Sequence, residues 1–166
     1  MEYSLLTYVY NLRTPLLSTI MLAITTLSQY QWGAVVVVIA AIAMAQKNRR
    51  ISLIFVCSVL ASCLINYLLK NIFQVPRPNI MPMENLHDFS FPSGHAMNNL
   101  VLYGSLAIIT RNKLVWIWTI LWVLLIGASR IYLGSHYVVD VIAGYVLGSV
   151  ILLLVRKYLS QEKLRD

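Results

Sequence analysis

Three cations, two imidazoles and one carboxylate stand at spacings that suit a phosphoryl group. Lys70 and Arg77-Pro78 form K-x6-R-P, Phe91-Pro92-Ser93-Gly94-His95 carries P-S-G-H, and Ser129-Arg130, His136 and Asp140 form S-R-x5-H-x3-D. Cations bind phosphate oxygens, one imidazole can attack phosphorus, and a second can protonate the group that leaves. Arg offers a planar fork to two oxygens and Lys a point charge, so Lys70 beside Arg77 favours an anion site. His136 and Asp140 are four residues apart and share a helix face if a helix has begun there. The carboxylate can then take a hydrogen bond from one ring nitrogen and leave the other free to attack.

Each of these residues also has a plainer reading. Lys70, near the end of an apolar segment, can simply snorkel to water. Pro92 and Ser93 can make an ordinary helix cap, with Gly94 letting backbone N–H groups face an anion. His136 and Asp140 can be a structural ion pair. A cap does not account for His95 in the first turn of a membrane helix, where ionisable side chains are costly. His87, Glu84 and Asp88 read as solvated loop residues that could shape headgroup choice. Gly144 and Gly148 form G-x-x-x-G, whose ordinary role is close helix packing. Trp116, Trp118 and Trp122 read as interfacial anchors or packing.

The elements that must position these groups are apolar helices. The chain has 166 residues, 59% of them hydrophobic and 11% charged, with a mean hydropathy of +0.72; a soluble domain would carry roughly 25% charged residues. This is the composition of an integral membrane protein. No linker, repeat or low-complexity tract divides it, so residues 1–166 read as one domain. Six transmembrane helices are expected, near residues 14–28, 31–45, 51–73, 93–110, 113–129 and 137–157, after an interfacial stretch from Glu2 to Leu12. The fold class is therefore an all-α, polytopic six-helix bundle. No cleavable signal peptide is expected, because Glu2 and Arg13 flank the start and no small-residue cleavage site follows. Cys57 and Cys63 lie about 9 Å apart along one helix, too far for a disulfide.

The net charge of +7 does not indicate nucleic acid, since no basic stripe is interleaved with aromatics. The cations cluster between apolar runs. With six spans, Arg13, Lys47, Arg49, Arg50, Arg111, Lys113, Arg156, Lys157, Lys163 and Arg165 share one face, which the positive-inside rule makes cytoplasmic, with both termini there. Lys70, Arg77 and Arg130 are left for the outer face, with all three histidines and with Glu84, Asp88 and Asp140. That assignment uses none of the motifs, yet gathers them on one side.

The three motifs, in order from Lys70 to Asp140, resemble those of the type 2 phosphatidic acid phosphatase (PAP2) superfamily of membrane lipid phosphatases. The resemblance implies that His136 is the nucleophile that becomes phosphorylated and that Asp140 orients it. His95 would be general acid and then base. Lys70, Arg77, Ser93, Gly94 and Arg130 would hold the phosphoryl oxygens, with no metal and no other cofactor. The residues alone do not say which histidine attacks. Related soluble haloperoxidases hold vanadate with similar residues, so vanadate should mimic the transition state here.

The expected function is hydrolysis of a phosphate monoester or diphosphate on a lipid headgroup at the outer face of the inner (cell) membrane, with substrate entering sideways from the bilayer. The outer loop, about 14 residues from Asn79 to Pro92, offers little lid. Undecaprenyl diphosphate, phosphatidylglycerol phosphate, phosphatidate and lipid A 1-phosphate all remain open as substrates. A lipid-to-lipid phosphotransferase is the alternative enzyme. A non-catalytic lipid-binding or transport protein is the alternative from another class. Membrane lipids are the only partners implied, and the oligomeric state is left open.

Overall fold

The computed structural model describes residues 2–79, 82–84 and 86–162, which form seven α-helices and no strand. These are α1 (Glu2–Asn11), α2 (Pro15–Leu27), α3 (Tyr30–Ala45), α4 (Arg49–Phe73), α5 (Gly94–Thr110), α6 (Lys113–Tyr132) and α7 (Val138–Glu162). Starts follow capping chemistry. The Thr14 side chain accepts from Leu17 N ahead of Pro15, Asn48 accepts from Arg50 N and Ile51 N, and Asn112 accepts from Leu114 N. Each cap satisfies backbone donors that a helix start leaves open.

The centre of the bundle is α5, packed against α4, α6 and most extensively α7. Phe55 and Val59 of α4, Met97, Val101 and Leu102 of α5, and Ile151 and Val155 of α7 make the core. Leu53 and Leu60 of α4, Leu121 of α6 and Leu153 of α7 remain exposed on the outside of the bundle, as expected of helices whose solvent is lipid. Cys57 and Cys63 are free and exposed on α4. Tyr103, Trp118 and Trp122 pack on one another, the two indoles stacked with centroids 5.9 Å apart. The small residues of α7 let it press on α5. A Cβ at Gly144 would lie 2.8 Å from Ser93 O, and one at Gly148 would lie 3.1 Å from Leu100 Cδ2.

The helix positions follow the sequence expectation closely, and the geometry of α2 and α3 bears on how the first two expected spans run. Among the described residues α4, α6 and α7 are long and apolar enough to cross a membrane. Helices α2 and α3 meet at a bend of only 45° and together make a fourth such stretch. A helical hairpin would reverse the chain; a 45° bend carries it onward. Hydrogen bonds trace the descent. Ser18 Oγ lies 3.0 Å from Tyr132 Oη, Thr25 Oγ1 lies 2.9 Å from Ser129 Oγ, and Asn99 Nδ2 donates to Ser28 O at 3.0 Å. Further on, Ser52 Oγ of α4 donates to Ala41 O at 2.8 Å. The 17 residues of α5 run between the same two ends of the bundle.

Arg13 is accordingly misplaced by the six-span reading. Its Nε and Nη2 donate to Tyr132 O at 3.0 and 2.6 Å, at the C-terminal end of α6. That is the end opposite Arg111 and Lys113, which precede and open α6. Arg13 therefore stands with Arg77 and His136, not with the other clustered cations. Lys163 and Arg165, assigned to that cluster, lie outside the described residues.

Candidate active site

The residues singled out by the motifs converge at one end of the bundle. Lys70 comes from the last turn of α4, and Arg77 from the loop after it. Ser93, Gly94 and His95 open α5, and Arg130 lies in the last turn of α6. His136 lies in the turn before α7, and Asp140 in the first turn of α7. The α6–α7 turn depends on Gly134, whose φ of 71° lies in the left-handed region that glycine enters without strain. The bond from Ser93 N to Asp140 O, 3.0 Å, ties the start of α5 to α7. Asn66 of α4 supports the same loop, donating from Nδ2 to Pro92 O at 3.2 Å. A Cβ on Gly94 would come within 2.8 Å of Asn66 Oδ1, so a side chain there would push the Asn66 amide aside.

His136 is 1% exposed and has distinct partners on its two ring nitrogens. Nε2 lies 3.2 Å from Arg77 Nη1. Nδ1 lies 3.4 Å from Asp140 Oδ2, a loose contact against the usual 2.7–3.2 Å. The same Oδ2 accepts from Ser90 Oγ at 2.5 Å and from Tyr137 N at 2.9 Å. Ser90, fully buried, also lies 3.3 Å from His136 Nδ1. The expected histidine–carboxylate pair is thus a triad with Ser90, which no motif indicated. Burial holds the His136 imidazole below its ordinary pKa. Arg77, Arg130 and Lys70 push in the same direction, against the raising pull of Asp140.

The three cations meet two loop carboxylates. Lys70 Nζ lies 2.9 Å from Asp88 Oδ2 and also donates to Phe89 O. Arg77 grips Asp88 through Nη2 at 2.5 Å and Nε at 3.2 Å, and donates from Nη1 to Ser135 O at 2.6 Å. Partial burial would raise the Asp88 pKa, but the hydrogen bonds and charges of Lys70 and Arg77 prevail and bring it to about 2. The Arg130 side chain is fully buried; its Nη1 lies 2.7 Å from Glu84 Oε2 and 3.1 Å from Thr25 Oγ1. Glu84 also accepts from Ser135 Oγ at 2.6 Å. Glu84 is therefore paired within the site, Asp88 is paired with Lys70 and Arg77 while remaining exposed to solvent, and His87 is exposed.

Several buried polar atoms here have no hydrogen-bond partner among the described residues: Ser93 Oγ, His95 Nε2, Arg130 Nε and Nη2, and Asp140 Oδ1. Ser93 occupies the cap position of α5 without making a cap hydrogen bond, so the plain capping reading does not account for its hydroxyl. Buried polar groups normally find partners. Four of these five atoms can donate a hydrogen bond, and they belong to residues assigned to a phosphoryl group from the sequence. A separate cavity of about 240 Å³ is lined by Arg77, Glu84 and Ser135 and by none of the residues that carry these atoms.

Fold and site together define a polytopic helical membrane protein with a cluster of cations and imidazoles at one end. The PAP2 superfamily pattern matches residues 51–163, and the chain belongs to that superfamily. It is 35% identical over 111 residues to phosphatidylglycerophosphatase B of Bacillus subtilis, covering 61% of this chain and 54% of that protein. It is 31% identical over 128 residues to an undecaprenyl-diphosphatase of Sulfolobus acidocaldarius, covering 73% of this chain and 60% of that protein. The chain thus matches between half and two thirds of the length of these relatives. The crystal structure of a transmembrane PAP2-type phosphatidylglycerolphosphate phosphatase from Bacillus subtilis superposes with a TM-score of 0.88 at 28% identity, over 96% of this chain and 85% of that one. LpxE of Aquifex aeolicus shares the fold, with a TM-score of 0.80 at 24% identity over 95% of both chains.

Proposed function

We propose that this chain is a membrane lipid phosphatase that releases phosphate from a lipid phosphate monoester or diphosphate through a phosphohistidine at His136. The observation that carries this reading is the set of unpartnered buried donors on Ser93, His95 and Arg130, gathered with Lys70, Arg77 and the start of α5 around the buried His136. A phosphoryl group supplies the acceptors those donors need, and a helix N-terminus favours its charge. Lys70, Arg77 and Arg130 hold its oxygens as charge shifts during transfer. The His136 Nε2 lone pair forms the N–P bond while the P–O bond to the lipid breaks. His95 gives its proton to the departing oxygen. A water then passes a proton back to His95 and attacks phosphorus, the N–P bond breaks, and inorganic phosphate leaves. Asp140, held by Ser90 and Tyr137 N, faces the Nδ1 proton and fixes the tautomer.

The site end is the outer, in a bacterium periplasmic, face. Lys47, Arg49, Arg50, Arg111, Lys113, Arg156 and Lys157 all lie toward the opposite end, and such clusters stay in the cytoplasm. The chain then crosses in five paths, with the start of α2 outside and the C-terminal end of α7 inside. Substrate enters from the bilayer with its tail left in lipid. The test is phosphate release by purified protein in detergent with chelator present, on undecaprenyl diphosphate, phosphatidylglycerol phosphate, phosphatidate and lipid A. Release from one of them, abolished in His136→Ala and indifferent to chelator, is expected. Release that survives His136→Ala would refute the phosphohistidine route. Release seen only when a second lipid is added as acceptor would make the enzyme a transferase.

A further inference from the structure

The outer loop places one carboxylate on each group of phosphate-binding cations. Asp88 bridges Lys70 and Arg77, and Glu84 pairs with Arg130. These contacts use the donors that a phosphoryl group would need. The match also holds in charge: two carboxylates carry the charge of a phosphate dianion, so exchanging one for the other leaves the site's net charge unchanged. A guanidinium as buried as Arg130 is costly without a counter-ion, and Glu84 provides one while no substrate is bound. Glu84 is held there by two bonds of its own segment, Ser135 Oγ to Oε2 at 2.6 Å and Met83 N to Leu133 O at 3.0 Å. It also borders the 240 Å³ cavity with Asn79, Pro82, Leu86 and Gly134, so its carboxylate has room to turn aside without the loop unfolding.

Building on the phosphatase reading, we infer that Glu84 and Asp88 are built-in stand-ins for phosphate oxygens, displaced by the substrate headgroup, and that they set the affinity of the site for phosphoryl anions. They keep the three cations poised and compete with both substrate and released phosphate. They take no part in the chemical step.

The sign of the effect separates this role from simple support of Arg130. Orthovanadate and inorganic phosphate are titrated calorimetrically into purified wild-type, Glu84→Gln and Asp88→Asn proteins in detergent, with KM and kcat measured in parallel. Both variants are expected to bind the two anions roughly tenfold more tightly, with a lower KM. Equal or weaker binding overturns the inference, because a purely structural carboxylate would leave Arg130 or Lys70 misplaced on removal. Asp88, with a side chain 57% exposed, decides the matter if Glu84→Gln fails to fold. A wild-type protein that releases phosphate while neither variant tightens would leave the phosphatase reading intact and remove only this one. A wild-type protein with neither release nor anion binding would remove both.

Discussion

His136, the proposed nucleophile, stands in a setting that controls its protonation. A nucleophilic imidazole must be neutral at the attacking nitrogen, and burial with three nearby cations disfavours the imidazolium. The pKa is lowered, so the neutral form persists as pH falls through the ordinary histidine value of about 6.5. The acid limb of kcat/KM, which reports the free enzyme, is therefore expected below pH 6.5, after allowance for the substrate's own phosphate ionisation near pH 6. A pH–rate profile whose acid limb follows His136 at 6.5 or higher would contradict this. That the motif residues come together was legible from their spacing. Ser90, Thr25 and Ser135 were not. Serine and threonine are ordinary helix and loop residues, and Thr25 reaches Arg130 across 105 positions of sequence, so only the packed fold reveals it.

At the scale of elements, the site depends on how closely α7 lies against the start of α5. Gly144 sits one turn beyond Asp140, and a Cβ there would meet Ser93 O at 2.8 Å, Ala96 Cβ at 3.1 Å and Met97 N at 3.2 Å. Two of those three atoms are backbone and cannot turn aside. Gly144→Ala is expected to destabilise the protein by about 1–3 kcal/mol, as overpacking does, and to lower kcat by separating Asp140 from Ser93. Thermal unfolding in detergent and kcat measured together check this; wild-type values for both would show that the two helices have slack. Helix boundaries were readable because apolar runs end at caps such as Asn48 and Asn112. The direction of α2 was not, since hydropathy reports that a segment is buried in lipid and not which way it runs.

For the whole molecule the decisive feature is the bend between α2 and α3. In the proposed topology it makes two expected crossings one, and the two ends of the described chain lie on opposite faces of the membrane. In a Cys57→Ser, Cys63→Ser background, a cysteine at the exposed Leu12 should react with a membrane-impermeant maleimide on intact cells. One at the exposed Ser160 should react only after permeabilisation. Labelling of both from the same side would restore an even number of crossings.

The sequence by itself determined that the chain is a helical membrane protein, and it singled out three cations, two histidines and one carboxylate that the fold brings to one end of the bundle. Composition and short spacings suffice for this, because burial in lipid requires apolar helices and phosphate requires paired positive charge. The tertiary structure alone decided that Glu84 and Asp88 stand on those cations, that Ser90 shares Asp140 with His136, and that α2 and α3 meet at a 45° bend. Those facts rest on contacts between residues far apart in the chain and on the angle between neighbouring helices, neither of which leaves a mark in local spacing.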